Sequence, residues 1–148
     1  MKTEKIGLKK IILFGSGDLF GGGSQVIVSF FYLIFLTDVV GISIGTAGLV
    51  VASARFWDAI SDPLMGMITD NTKTKWGRRI PYFFLGFFGI LAAYTMLWFP
   101  TGIASESGKV LFAVVSYMFY STIVTMVMVP YSAMSAEITM DYEERNKV

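Results

Sequence analysis

Cysteine and histidine are both absent from this 148-residue chain, and charge is sparse at 16% of residues, against about 25% in an ordinary soluble domain. Without cysteine there is no disulfide framework, thiolate-bound zinc or iron–sulfur cluster. Without histidine there is no imidazole base, Ser-His-Asp triad or proximal haem ligand. Acid–base or ion chemistry therefore falls to carboxylates. The 12 basic and 11 acidic residues nearly cancel, so the surplus of positive charge that attracts nucleic acid is missing too. No nucleic-acid partner is expected.

What the chain has is apolar length: 54% of residues are hydrophobic and the mean hydropathy is +0.62. The charges cluster between four long apolar runs, residues 11–36, 44–69, 80–99 and 110–136. Each run holds about 20 residues or more, enough to cross a hydrocarbon core of about 30 Å at 1.5 Å per residue. Barrel strands need only 9 to 11 residues with alternating polarity, and that alternation is absent. The expected fold is all-α, a polytopic membrane protein with four transmembrane helices.

The connectors give an orientation. Lys2, Lys5, Lys9 and Lys10 precede the first run, Lys73, Lys75, Arg78 and Arg79 follow the second, and Arg145 and Lys147 follow the fourth; the two remaining connectors hold only Lys109. By the positive-inside rule both termini are expected in the cytoplasm, in a cell (cytoplasmic) membrane. A cleaved signal peptide is a weaker reading of the first run, because no small-residue cleavage site ends it and three more runs follow.

Residues 9–23, KKIILFGSGDLFGGG, also invite comparison with a strand leading into a glycine-rich nucleotide loop. After Gly15 and Gly17, however, the third glycine of that pattern falls on Phe20, and no βαβ units follow. In a membrane helix, Gly15, Gly17, Gly21, Gly22 and Gly23 instead allow another backbone to approach closely and leave a cavity beside Asp18.

The second run carries the chemistry. Arg55, Asp58 and Asp62 are three and four residues apart, so they share one helical face. Facing lipid would cost at least about 2.5 to 3.5 kcal/mol per charge near the bilayer centre, so they face protein or water. An Arg55–Asp58 salt bridge that only holds helices together is the plain structural reading. Against it, one arginine cannot neutralise two carboxylates one turn apart, and such a pair invites a proton or a small cation. Pro63 lacks an N–H and frees the carbonyl of Ala59 beside both acids. On the fourth run Tyr117, Ser121, Thr125 and Met128 recur at helical spacing with Tyr120 beside them. Such a stripe serves packing, or completes a cation site through Thr125 if the second and fourth helices touch.

ARFWDAISDP at 54–63, GMITDNTKTKWGRRIP at 66–81 and VPYSAMSAEIT at 129–139, with FGSGDLFGG at 14–22 and FYLIFLTDVVGIS at 31–43, closely resemble the glycoside-pentoside-hexuronide:cation symporters. These form the melibiose permease group of the major facilitator superfamily. The resemblance implies cation-coupled uptake of a sugar or glycoside by alternating access, with sodium or a proton as coupling ion and no other cofactor. It implies a twelve-helix fold of two six-helix bundles, of which residues 1–148 supply the first four helices and are expected to be a fragment. The partners implied are membrane lipid, the sugar and the remaining transporter helices.

Carried over by position, Asp58, Asp62 and Thr125 fall on the family's cation site. Asp18 falls on an acid that binds sugar hydroxyls, and Arg55 on the arginine neighbouring the cation site, with Tyr117, Tyr120 and Met128 as further substrate-site candidates. Gly66, Asp70, Gly77, Arg78 and Arg79 resemble the superfamily's signature for the cytoplasmic gate. The chain departs from melibiose permeases at Gly17, where they have a lysine, at Met128, where they have an acid, and at Ser132, where they have a tryptophan.

Two rival classes differ in chemistry. An intramembrane metal-dependent phosphotransferase needs several aspartates in a tight run, which Asp58, Asp62 and Asp70 do not reproduce. A self-contained four-helix oligomeric membrane protein is the other rival. Against it, EITMDYEER near the end of the sequence reads as a connector into a fifth helix.

Overall fold

The computed structural model describes residues 8–75 and 77–138, apart from the side chains of 8–11, 13, 14, 18–20 and 135–138. Among the described residues all regular structure is helical: α1 (Leu8–Ile34), a π-helical turn (Phe35–Val39), α2 (Ile44–Asn71), α3 (Ile80–Leu97) and α4 (Glu106–Ile138). The ends differ from the apolar runs for local reasons. α4 starts four residues ahead of its run, with Glu106 in its first turn and Ser105 Oγ accepting from the Gly108 N–H at 3.2 Å, a side-chain cap that needs no apolar residue. α1 continues into the wider π turn, beyond which Gly41 takes φ +75° and reverses the chain. The Lys109 ammonium donates to the Val40 carbonyl at 2.8 Å, so the lone cation of the two Lys-poor connectors ties the start of α4 to the end of α1.

Ser43 caps α2, its Oγ accepting from the Thr46 N–H at 3.2 Å. The helix then runs through Pro63 without a break and ends at Asn71. After Gly77, at φ +102°, Pro81 sits in the first turn of α3, where its missing N–H has no helical partner to lose.

Three segments, Gly15–Val39, Ile80–Leu97 and Glu106–Met134, are long and apolar enough to cross a membrane by length and composition. α2, at 28 residues, is long enough at about 1.5 Å per residue. It fails on composition because Arg55, Asp58 and Asp62 interrupt its middle.

α4 is the central element, packed on α2 along one side and on α3 along the other. Small residues allow the α3 contact: a Cβ on Gly89 would lie 2.9 Å from Ile123 Cδ1, and one on Gly86 would overlap Val127. α1 makes few close backbone contacts with the rest and meets it through side chains, among them the buried Val28 and Tyr32. Tyr94 Oη donates to the Ser24 carbonyl at 3.4 Å, and Tyr32 Oη donates to the Ala113 carbonyl at 3.3 Å. The Tyr32 ring lies 4.9 Å from that of Tyr117 and meets Trp98 edge-on at 5.9 Å. The expectation that the α1 glycines admit another backbone is revised at Gly17 and Gly21, because side chains of α4, Tyr131 and Met128, fill the space there.

Gly22 faces open space while Gly86 faces Val127, so alanine should act oppositely at the two positions. Gly22→Ala should raise the unfolding temperature in detergent, since alanine favours a helix by about 0.5–1 kcal/mol. Gly86→Ala should lower it through an overpacking penalty of about 1–3 kcal/mol, with partial recovery when Val127→Ala is added. Equal shifts at the two glycines would contradict this packing.

Candidate functional site: an oxygen-lined cavity between three helices

α2, α4 and α1 line a half-open cavity of about 280 Å³, in which Arg55 and Asp62 are exposed and Asp58 is half-buried. α2 contributes Arg55, Asp58 and Asp62, α4 contributes Tyr117, Tyr120, Ser121, Val124 and Thr125, and α1 contributes Gln25, Val28 and Ser29. The two acids meet α4 as a pair of rungs. Ser121 Oγ donates to Asp58 Oδ1, and Thr125 Oγ1 donates to Asp62 Oδ1 at 2.8 Å. Each rung joins residues 63 apart in sequence, so α2 and α4 run in the same direction in matched register. The i, i+4 repeat of acids on one helix thus meets an i, i+4 repeat of hydroxyls on the other. Trp57 Nε1 donates to Thr122 Oγ1 at 2.8 Å beside them.

Arg55 spans the gap to α1. It donates to Ser29 Oγ at 3.0 Å and lies 3.8 Å from Asp58 Oδ2. Among the described residues Asp62 has no basic partner within ion-pair distance, so the described lining carries one positive and two negative formal charges. Hydroxyl donors and one guanidinium stabilise the carboxylates and leave further oxygen lone pairs directed at the cavity. Carboxylate and hydroxyl oxygens form a hard-ligand set, suited to a proton or an alkali cation.

Of the candidates read from sequence, Arg55, Asp58, Asp62, Tyr117, Tyr120 and Thr125 come together here. Met128 does not. It lies on a second, apolar cavity of about 150 Å³ between α1, α3 and α4, with Gly17, Gly21, Phe83 and Val127. Gly17 and Met128, two of the positions at which the sequence departs from melibiose permeases, therefore share that wall. The side chain of Asp18 lies outside the described residues. At the α2–α3 connector, Arg79 pairs with Asp70 at 3.9 Å, Gly77 holds its positive φ, Arg78 is exposed and Gly66 faces Val129.

Sequence reasoning passed over Gln25 and Ser29, and it treated Ser121 as part of a stripe without assigning it to a site. The available signal was that Gln25 and Ser29 are four apart on one face of an otherwise apolar run.

Long apolar helices around a charged, oxygen-lined cavity define the class of a multi-pass membrane protein. Residues 13–148 match the family described as MFS/sugar transport protein. The inner membrane symporter YicJ of Escherichia coli (strain K12) is 35% identical over 98% of this chain and 31% of its own length. The uncharacterized symporter sll1374 of Synechocystis sp. is 31% identical over 100% of this chain and 28% of its own. The sodium-dependent lysophosphatidylcholine symporter 1 of Xenopus tropicalis is 32% identical over 80% of this chain and 23% of its own. The chain belongs to the glycoside-pentoside-hexuronide:cation symporter family of the major facilitator superfamily. It spans about a quarter to a third of the length of these relatives.

Proposed function

We propose that the protein is a secondary active transporter that couples inward movement of sodium or a proton to symport of a sugar or glycoside by alternating access. In this reading residues 1–148 supply the first four helices, and later transporter helices complete the substrate path. The observation that carries it is the double rung of Asp58–Ser121 and Asp62–Thr125, because two adjacent acids with one nearby arginine form a site whose charge balance improves when a cation enters. Asp58, Asp62 and Thr125 hold the coupling ion. Arg55, Tyr117 and Tyr120 face the same cavity and contact substrate, and Asp18 accepts hydrogen bonds from its hydroxyls. Loading the cation beside Arg55 and Asp58 changes the charge felt by the substrate, and this links the two ligands. Asp70, Arg78 and Arg79, with Gly66 and Gly77, serve as the cytoplasmic gate, and the Arg79–Asp70 pair is a contact of the kind such a gate makes and breaks. The phosphotransferase alternative is not favoured, since the relatives carry symporter names.

In the full-length protein, Asp58→Asn or Asp62→Asn should abolish stimulation of uptake by sodium or protons while some substrate binding survives. Uptake whose sodium and pH dependence is unchanged in both variants would contradict the assignment. The cytoplasmic placement of the α2–α3 connector rests on its four basic residues, Lys73, Lys75, Arg78 and Arg79. With right-side-out vesicles, an impermeant thiol reagent should label Ser43→Cys and spare Thr72→Cys. The reverse pattern would invert the orientation.

A further inference from the structure

We propose that the second cavity, between α1, α3 and α4, seats an apolar group carried by the substrate, a phenyl ring or a short alkyl chain attached to the sugar. The transported molecule is then an amphipathic glycoside. The inference rests on the symport reading for the sugar and extends it by naming the substrate class.

The size and chemistry of the cavity carry the argument. Its volume of about 150 Å³ is large enough for a benzene-sized group. Phe83, Ile90, Val127 and Met128 give it an apolar wall. Ser24 and Tyr131 are its hydroxyl-bearing side chains, and the Ser24 hydroxyl is already committed, donating to the Gly21 carbonyl at 3.0 Å and accepting from Tyr120 Oη at 3.5 Å. Sugar hydroxyls placed there would lose water without adequate replacement, whereas a ring or alkyl chain gains by leaving water.

The two cavities adjoin. Val124 lines both, and the Ser24–Tyr120 contact marks the divide between the acids on one side and the apolar wall on the other. A glycoside with its sugar among Arg55, Asp58 and Tyr117 then has an apolar recess on the other side of Val124. Two glycines on α1 make room for the Tyr131 and Met128 side chains that border the recess. A Cβ on Gly17 would lie 2.8 Å from the Tyr131 ring, and one on Gly21 would overlap the Met128 thioether. Because the end of a methionine side chain is flexible, a methyl group at Gly21 would drive Met128 into the cavity instead of breaking the helix. The same flexibility lets Met128 fit ring or chain.

The test compares matched methyl and phenyl glycosides of glucose, galactose and xylose for binding to the full-length protein. At least one phenyl glycoside should bind about tenfold or more tightly than its methyl counterpart, and Gly21→Ala should bring that ratio to within about twofold of unity. Independently of Gly21→Ala, the thiol of Met128→Cys should be protected from a small alkylating reagent by the phenyl compound and not by the methyl one, read by mass spectrometry of that peptide. Equal affinities in the wild type, a ratio unchanged by Gly21→Ala, or equal or absent protection overturns the assignment. Cation dependence is measured on the same samples and separates the two readings. Cation-stimulated binding without phenyl selectivity removes the apolar subsite alone. Phenyl-selective protection with no cation dependence removes the coupling and leaves the subsite.

Discussion

Three charges in the middle of one apolar-flanked helix are the constraint around which the rest of the bundle is arranged. Arg55, Asp58 and Asp62 are each costly against lipid, by at least about 2.5 to 3.5 kcal/mol near the bilayer centre, so α2 has to turn that face toward partners. α4 supplies them with a hydroxyl pair at the same four-residue repeat, and the pairing of Asp58 with Ser121 and of Asp62 with Thr125 has the two helices running in the same direction. An even-numbered pair of membrane helices does so automatically, because each follows a hairpin. Topology, register and satisfaction of the charges are therefore one solution to one problem.

The consequence is that α4 is occupied on two sides, by α2 through polar rungs and by α3 through glycine-permitted close packing at Gly86 and Gly89. α1 is left to approach through longer contacts. Tyr32, Tyr94 and Tyr120 reach it or extend from it with hydroxyls, and the space between becomes two cavities of opposite character. The aromatic cluster of Tyr32, Phe35, Trp98 and Tyr117 fixes α1 toward the end where Lys109 ties Val40. Near Gly17 and Gly21 the contacts are with flexible or ring side chains.

The helices were legible because clustered charges bracket the apolar runs, and a membrane imposes a minimum length that few other structures share. The common face of Arg55, Asp58 and Asp62 was legible from spacing alone. Thr125 was readable only conditionally, since a single sequence carries no statement of which helices touch; the contact of α2 with α4 supplies it. Gln25 and Ser29 escaped notice because isolated small polar residues in a membrane helix serve packing as readily as binding. Met128 followed the periodicity of the α4 stripe, yet it faces the other cavity: a helix that packs on two neighbours turns successive positions of one broad stripe toward different partners. Hydropathy passes over α2 because of the charges that make it the candidate site helix.

Uptake of the coupling ion, as proposed for the Asp58 and Asp62 carboxylates, is open to observation at the groups themselves. An infrared difference spectrum of the purified full-length protein in lipid, recorded between potassium and sodium buffers and across an acid titration, reads it directly. The account predicts carboxylate stretching bands that shift on addition of sodium or on acidification and disappear when Asp58→Asn and Asp62→Asn are combined. Carboxylate bands indifferent to both ions, or retained in full in the double variant, would contradict it.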